Sequence, residues 1–190
     1  MTRIETAIPG VLILEPKVFG DERGFFMETW RRDGHAELGV PPGLVQDNLA
    51  FSRQGVLRGL HVQYPHPQGK LVQVLRGEVF DVAVDIRHGS PWFGRWVGVR
   101  LSGDNKRQFW VPPGFAHGYC VISDEALFGY KCSDYYHPET EFGVRWDDPA
   151  IGIEWPLTGP PQLSEKDRNA PCLEEIPEAR LPIYEGGPPS

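Results

Sequence analysis

The sequence has few cysteines, no excess of positive charge and no long apolar run, and each shortage excludes a class of protein. The three cysteines, Cys120, Cys132 and Cys172, form no C-x-x-C pair and are odd in number, which predicts buried thiols in a reducing compartment. A formal net charge of −7 excludes a general attraction to nucleic acid or anionic membranes. No apolar stretch approaches the roughly 20 residues that span a bilayer, and the first residues enter a strand-like run instead of a signal peptide. We therefore expect a cytoplasmic protein that binds neither nucleic acid nor membranes.

Glycine and proline are abundant, at 22 and 19 residues out of 190, and they separate short runs rich in Val, Phe, Tyr and Trp. Such runs at intervals of about ten residues predict an all-β fold, an antiparallel sandwich or barrel. The predicted strands are 11–19, 24–30, 44–53, 57–63, 70–76, 79–86, 92–101, 108–111, 117–123 and 125–136. One short helix is predicted over 31–38, closed by Gly39. A single domain should occupy residues 1–182, followed by a loose Pro/Gly tail over 183–190.

Two segments, 55–77 and 112–117, resemble the two motifs of the cupin jelly-roll fold. Metal-binding cupins hold a divalent ion with His-x-His, then Glu, then a later His. Here His61 is followed by Gln63 at the second His position and by Lys70 at the Glu position. An ammonium group repels a cation, and the remaining imidazoles alone make a poor metal site. We therefore expect neither a metal nor any other cofactor.

Six longer stretches are similar to the dTDP-4-dehydrorhamnose 3,5-epimerase family, in order and with matching gaps over roughly residues 4 to 170. They are 21–28, 57–63, 68–72, 114–119, 130–136 and 163–167. Val62 departs from the family, which usually has an aromatic residue there, and we expect packing rather than chemistry to respond. The resemblance implies a cupin-like jelly roll with short peripheral helices. It also implies an epimerase that inverts C3 and C5 of dTDP-4-dehydro-6-deoxy-D-glucose, giving dTDP-4-dehydro-L-rhamnose.

The chemistry of such a substrate defines what the site must contain. A ketone at C4 makes the hydrogens on C3 and C5 removable as protons, because the carbanion delocalises onto the ketone oxygen as an enolate. Inversion needs a base on one face of the ring and an acid on the other. A histidine, with an ordinary pKa of about 6.5, can accept a proton near neutral pH. A nearby cation must then stabilise the enolate.

The resemblance assigns these roles to particular residues. His61 is the base, and Asp167 is the carboxylate that fixes its tautomer. Tyr130 is the acid on the opposite side, while Lys70 and His117 hold the C4 oxygen and nearby hydroxyl groups. Each residue also has an ordinary structural interpretation. Lys70 could be a solvated edge charge, Tyr130 a core tyrosine and Asp167 part of a helix N-terminus.

The nucleotide side of the site follows from the same resemblance. Arg23 and Arg58 would bind the diphosphate, whose geometry suits guanidinium groups. Phe26 would stack on thymine and Glu28 would accept the N3 proton. The remaining substrate-binding positions are Gln46, Asn48, Tyr136, Glu141 and Lys166. Simple strand alternation puts Arg58 on the face opposite His61, a difficulty that a bulge at Gly59 would remove.

In the family, the positions of Arg23 and Glu28 reach the site of the other subunit. The resemblance therefore implies a homodimer with exchanged N-terminal strands. The remaining histidines, His35, His66, His88 and His137, lie beside Gly or Pro in predicted loops or turns, and we expect them at the surface.

Three other functions compete with double epimerisation. Some relatives invert only C5 or only C3, with nearly the same residues. A metal-dependent cupin enzyme would need an ion that Gln63 and Lys70 disfavour. A non-catalytic sugar-nucleotide binding module would not need the set of His61, Lys70, Tyr130 and Asp167.

Overall fold

A computed structural model describes residues 1–186 as two facing β-sheets, a separate β-hairpin and a few short helices. The strands are β1 Thr2–Glu5, β2 Leu12–Glu15, β3 Val18–Asp21, β4 Gly24–Met27, β5 Gln46–Arg53, β6 Leu57–Gln63, β7 Lys70–Arg76, β8 Glu78–Asp85, β9 Trp96–Ser102, β10 Gln108–Val111, β11 Phe115–Val121, β12 Glu125–Cys132 and β13 Glu141–Gly143. The helices are α1 Arg32–Glu37 and α2 Glu165–Arg168, with 3₁₀ turns at Leu173–Glu175 and Glu178–Arg180. The predicted all-β class is confirmed.

One sheet has six strands in the order β1-β2-β10-β7-β12-β5, and the other has five in the order β13-β6-β11-β8-β9. All of these pairings are antiparallel. The inner faces of the two sheets share one hydrophobic core, because alternate residues of each strand point inward. Its members include Val72, Val74, Phe109, Phe128, Phe115, Tyr119 and Val121.

The two sheets differ in how their outer faces are covered. Leu60, Val62 and Phe142 on the five-stranded sheet pack against the C-terminal segment, through Ile151, Leu173, Ile176 and Leu181. Val62 thus has the packing role that the sequence predicted. On the six-stranded sheet, the segment around α1 covers only the end near β2 and β10. Elsewhere on the six-stranded sheet, Leu49, Phe51 and Leu75 are exposed, and we call these three residues the open apolar face.

Several predicted strands have different bounds in the structure. The predicted strand over 11–19 is two strands, β2 in the six-stranded sheet and β3 in the hairpin. The strands predicted over 24–30 and 125–136 end earlier, at Met27 and Cys132, and the one predicted over 92–101 begins only at Trp96. The short strand β13 was not predicted. The helix predicted over 31–38 is confirmed as α1.

Two further expectations need correction. His35 is not at the surface: it is buried, and its Nε2 lies 3.1 Å from Oε1 of Gln108. The predicted loose tail begins too early, because Ile183 bridges to His88 and the Tyr184 N–H donates to the His88 carbonyl. The last four residues of that predicted tail lie outside the described part of the chain.

The cysteines and the membrane expectation can be compared directly. Cys120 and Cys132 are buried free thiols as predicted, whereas Cys172 is partly exposed. Between residues 1 and 186, no helix has the length and apolar character needed to cross a membrane.

Candidate active site

His61 and Asp167 form a close pair although 106 positions separate them in the sequence. Nε2 of His61, on β6, lies 2.6 Å from Oδ1 of Asp167, on α2. Ser164 caps this helix by accepting the Asp167 N–H. Asp167 therefore belongs to the first turn of a helix and also pairs with His61, so both interpretations of this residue hold. Burial opposes ionisation of the carboxyl group, but the hydrogen bond and charge of His61 outweigh it and lower the pKa of Asp167. Asp167 is therefore an ionised carboxylate that orients the ring.

A β-bulge places Arg58 on the same sheet face as His61. His61 pairs with His117, and Arg58 pairs with Tyr119. Between these two pairs the chain advances by three residues in β6 but by only two in β11. Since His117 and Tyr119 are two apart and share a face, their partners share it too. Gly59 permits the close approach, because a Cβ there would lie 2.6 Å from the Gly118 Cα. The expected bulge is confirmed, and the Arg58 Nε donates to Ser52 Oγ at 3.0 Å.

A second histidine–carboxylate pair lies beside the first. His117 is buried, and its Nε2 is 2.8 Å from Oδ1 of Asp81 on β8. Burial raises the pKa of Asp81, while His117 and Lys70 act in the opposite direction. Asp81 was not predicted as a site residue, because in the alternating strand 79–86 it lies on the face opposite the apolar Phe80, Val82 and Val84.

Lys70 begins β7 in the opposing sheet, where its backbone pairs with Cys132. Although part of the residue is accessible, burial lowers the pKa of its ammonium group, and the neighbouring Cys132, Glu141 and Asp81 partly offset this. Lys70 is therefore not a solvated edge charge. It supplies a positive charge close to the two histidine–carboxylate pairs.

Tyr130, on β12 of the six-stranded sheet, faces inward and packs against Phe128 with ring centroids 5.9 Å apart. Burial raises the pKa of Tyr130 to about 12, with Cys132, Tyr119 and Glu141 acting in the same direction. The phenol thus stays protonated across the physiological range. His61 and Tyr130 project from facing sheets into the space between them.

A group of polar side chains borders the space beside His61 and Lys70. The Tyr136 hydroxyl donates to Glu141 Oε2 at 2.9 Å, and Lys166 forms an ion pair with the same oxygen. On β5, Gln46 and Asn48 are joined by a side-chain hydrogen bond of 3.1 Å, and Gln46 Oε1 accepts the Tyr136 N–H. The structure therefore brings these five predicted positions to the same end of the sandwich as His61.

Arg23, Phe26 and Glu28 lie elsewhere. Phe26 and Arg23 are exposed on the β3–β4 hairpin, where Arg23 pairs with Asp21, and Glu28 lies 3.7 Å from Arg31. None of the three lines the cavity beside His61, which is bordered by His61, Gln63, Gln68, Lys70, Tyr136 and Glu141. Within one chain, the predicted nucleotide-binding arm and the predicted catalytic residues are apart.

The side chains at the cupin metal position do not suit a divalent ion. Gln63 is buried, and its amide nitrogen donates to the His66 and Tyr135 carbonyls while its oxygen accepts the His137 N–H. All of its polar atoms are thus committed to the backbone. Lys70 adds a positive charge where metal-binding cupins have a carboxylate. The donor set therefore does not fit a cupin metal centre.

Comparison with known proteins gives consistent matches over nearly the whole chain. A family model described as dTDP-4-dehydrorhamnose 3,5-epimerase matches residues 5–175. The enzyme of that name from Salmonella typhimurium is 57% identical over 177 residues, which cover 92% of this chain and 97% of the relative. The crystal structure of dTDP-6-deoxy-D-glucose-3,5-epimerase from Legionella pneumophila, in complex with dTDP-4-keto-L-rhamnose, superposes with a TM-score of 0.95. It is 56% identical and covers 97% of this chain and 99% of that one. The dTDP-4-dehydrorhamnose 3-epimerase of Streptomyces niveus is 45% identical over 180 residues, covering 93% of this chain and 86% of that protein.

Proposed function

This chain belongs to the dTDP-4-dehydrorhamnose 3,5-epimerase family, and from that premise we propose that it inverts C3 and C5 of dTDP-4-dehydro-6-deoxy-D-glucose. The product is dTDP-4-dehydro-L-rhamnose. The observation that carries this proposal is an imidazole–carboxylate pair on one sheet and a phenol on the facing sheet. An inversion at carbon requires a base and an acid on opposite faces of the ring, and this arrangement supplies both.

His61 acts as the base in this proposal. Its Nε2 is held by Asp167, so Nδ1 is the atom that takes the proton from C3 or C5 with its lone pair. The electron pair of the broken C–H bond moves into the ring and onto the C4 oxygen, giving the enolate. The Asp167 carboxylate then stabilises the imidazolium that has formed.

Lys70 and His117 hold the anionic C4 oxygen. A unit positive charge about 4 Å from the enolate oxygen contributes roughly 4 kcal/mol at an effective dielectric of about 20. Burial of Lys70 excludes water and so strengthens this interaction. Asp81 positions His117 from behind, in the way that Asp167 positions His61.

Tyr130 delivers a proton from the other face. Because its pKa is raised to about 12, the phenol remains protonated until an enolate, a much stronger base than water, is beside it. Reprotonation from the side opposite to His61 inverts the carbon. His61 then releases its proton to solvent and the Tyr130 phenolate takes one up, so that the sequence can be repeated at the second carbon. No metal or cofactor is required for these steps.

We further propose a homodimer in which the β3–β4 hairpin of each subunit reaches the pocket of the other. The separation of Arg23, Phe26 and Glu28 from His61 within one chain supports this, as does the open apolar face at Leu49, Phe51 and Leu75. In that assembly Arg23 and Arg58 bind the diphosphate, Phe26 stacks on thymine and Glu28 accepts from its N3. Each subunit would be a single domain, acting in the cytoplasm.

Incubation with dTDP-4-dehydro-6-deoxy-D-glucose in deuterated water tests the reaction. Double epimerisation predicts deuterium at both C3 and C5 and a product of L-rhamno configuration by proton NMR, with His61→Ala protein as the control. The relative from Streptomyces niveus, named as a 3-epimerase, supports C3-only inversion as the second candidate. Deuterium at C3 alone would establish that candidate, and deuterium at C5 alone a C5-epimerase. If neither carbon acquired deuterium, all three reactions would be excluded.

A further inference from the structure

Two histidines and an aspartate that the epimerisation does not use lie together at the rim of the pocket. His66 belongs to the loop between β6 and β7, and Asp134 and His137 belong to the loop between β12 and β13. One ligand atom from each residue lies within 4.8 Å of those of the other two. The two imidazole rings are stacked with centroids 4.5 Å apart. We call these residues the rim triad.

The two loops are fastened to each other from beneath by buried amide groups. Gln63 donates to the carbonyls of His66 and Tyr135 and accepts from the His137 N–H. Gln68 donates to the Asp134 carbonyl at 2.9 Å. The backbones that carry the rim triad therefore have fixed positions, while its side chains remain accessible to solvent.

The donor atoms of the rim triad are only partly engaged by other groups of the protein. Asp134 accepts the Tyr135 N–H with Oδ1, which leaves Oδ2, at 3.9 Å from the His66 Nδ1, for another partner. Glu139 Oε1 lies 3.2 Å from Nδ1 of His137. A carboxylate in that position orients a histidine ring, as outer-shell carboxylates do in metal sites.

We propose that His66, Asp134 and His137 bind a divalent transition-metal ion of the zinc class at the rim of the pocket. Two imidazole nitrogens and one carboxylate oxygen, with a fourth position left for water, are a donor set that zinc accepts. Tetrahedral bonds of about 2.1 Å need donor atoms about 3.4 Å apart. Small rotations of three accessible side chains close the present gaps to that distance.

This site is separate from the cupin metal position, where Gln63 and Lys70 reject a cation. Its consequence is mechanical, because the ion would cross-link the two loops that carry Gln68 and Tyr136 at the cavity mouth. The bound ion would hold the two loops in their present arrangement without entering the chemistry at His61.

Isothermal titration calorimetry with zinc chloride, on full-length protein stripped with a chelator, tests the proposal. Wild-type protein should bind one ion per chain, and His66→Ala or His137→Ala should weaken binding at least tenfold. The matched control is His88→Ala, since His88 is an exposed histidine outside the cluster. Binding should also persist in His61→Ala. Zinc should raise the unfolding temperature of wild-type protein but not of the His66→Ala/His137→Ala double variant.

Three results would overturn the rim site. They are no saturable binding to wild-type protein, binding unaffected by His66→Ala, or binding lost in His61→Ala, which would move the ion to the catalytic pair. The unfolding temperatures of the metal-free variants establish that each one is folded. Because the readouts are heat and stability, the outcome is independent of whether the proposed epimerisation is correct.

Discussion

His61 combines a fixed ring with an accessible reactive atom. Its side chain is 29% exposed, whereas that of Asp167 is 4% exposed, so the carboxylate holds the ring from the protein side and leaves Nδ1 available. On the facing sheet, burial keeps Tyr130 protonated. A base that is oriented but accessible and an acid that does not ionise early are what alternate removal and return of a proton require.

Replacing either member of this pair separates removal of the proton from its return. His61→Ala should lower kcat at least about 10²-fold, the effect typical of a general base, while dTDP binding survives. Tyr130→Phe should lower product formation by a similar factor but leave part of the deuterium exchange intact, since proton loss at His61 continues. Proton NMR time courses in deuterated water measure the rates of product formation and of deuterium exchange, with His88→Ala as the control. Turnover of His61→Ala at the wild-type rate would refute the base assignment.

Sequence motifs singled out residues that the structure brings together, but they gave no sign of some of the partners of those residues. His61, Lys70, Tyr130 and Asp167 were assigned roles because their motifs have fixed spacing. Asp81 was missed because it lies outside the six stretches that are similar to the family, although its partner His117 lies inside one of them. His35 was misplaced because the neighbouring Gly34 indicated exposure, while the burying partner Gln108 belongs to β10.

At the level of elements, the bulge in β6 determines which side chains meet. Without the extra residue, Arg58 and His61 would point to opposite faces and the pocket would lose one of its cations. Gly59 has φ of 123°, in the region that favours glycine. A side chain at this position would point directly at the Gly118 backbone. Both the conformation and the close approach therefore require glycine here.

Gly59→Ala and Gly55→Ala separate these two effects. Both positions have positive φ, but an added Cβ at Gly55 meets nothing within 4 Å. Gly55→Ala should destabilise the fold by about 1 kcal/mol through backbone strain alone. Gly59→Ala should lower the free energy of unfolding by about 1–3 kcal/mol more than Gly55→Ala, because the added methyl group forces the strands apart. Urea unfolding measures the difference, and equal losses would show that the close approach is unimportant.

The element order was less predictable than the element type. Alternation identified most strands, but it did not divide 11–19 between two sheets, because the run is apolar on both sides of Glu15-Pro16-Lys17. β13 has three residues, too few for a period to register, and it forms only because Phe142 packs beside Val62. The bulge at Gly59 could be predicted because a single local conflict, the wrong face for Arg58, pointed to it.

At the level of the whole molecule, the proposed dimer would divide each site between two chains. Arg23 would act in the partner's pocket, whereas His61 acts in its own. If so, His61→Ala and Arg23→Ala subunits, each inactive alone, should restore activity when mixed. Half of randomly paired dimers are mixed and one of their two sites is intact, so roughly a quarter of wild-type turnover is expected.

Co-expression of the two variants with different affinity tags, followed by tandem purification, isolates the mixed dimers, in which the expected turnover rises to roughly half that of wild type. The matched control pairs His61→Ala with Tyr130→Phe, which lie in the same pocket and leave no mixed site intact. Recovery in the control as well as in the test pair, or in neither, would contradict an exchanged arm.

The position of Asp167 late in the chain also has a consequence during synthesis. Every strand of residues 1–186 lies before residue 144, whereas the carboxylate that orients His61 is supplied by α2. A nascent chain emerges with its N-terminal part first, so both sheets can leave the ribosome before the base has its partner. A product terminated anywhere between residues 144 and 166 would therefore retain the entire strand complement and yet carry an unoriented imidazole.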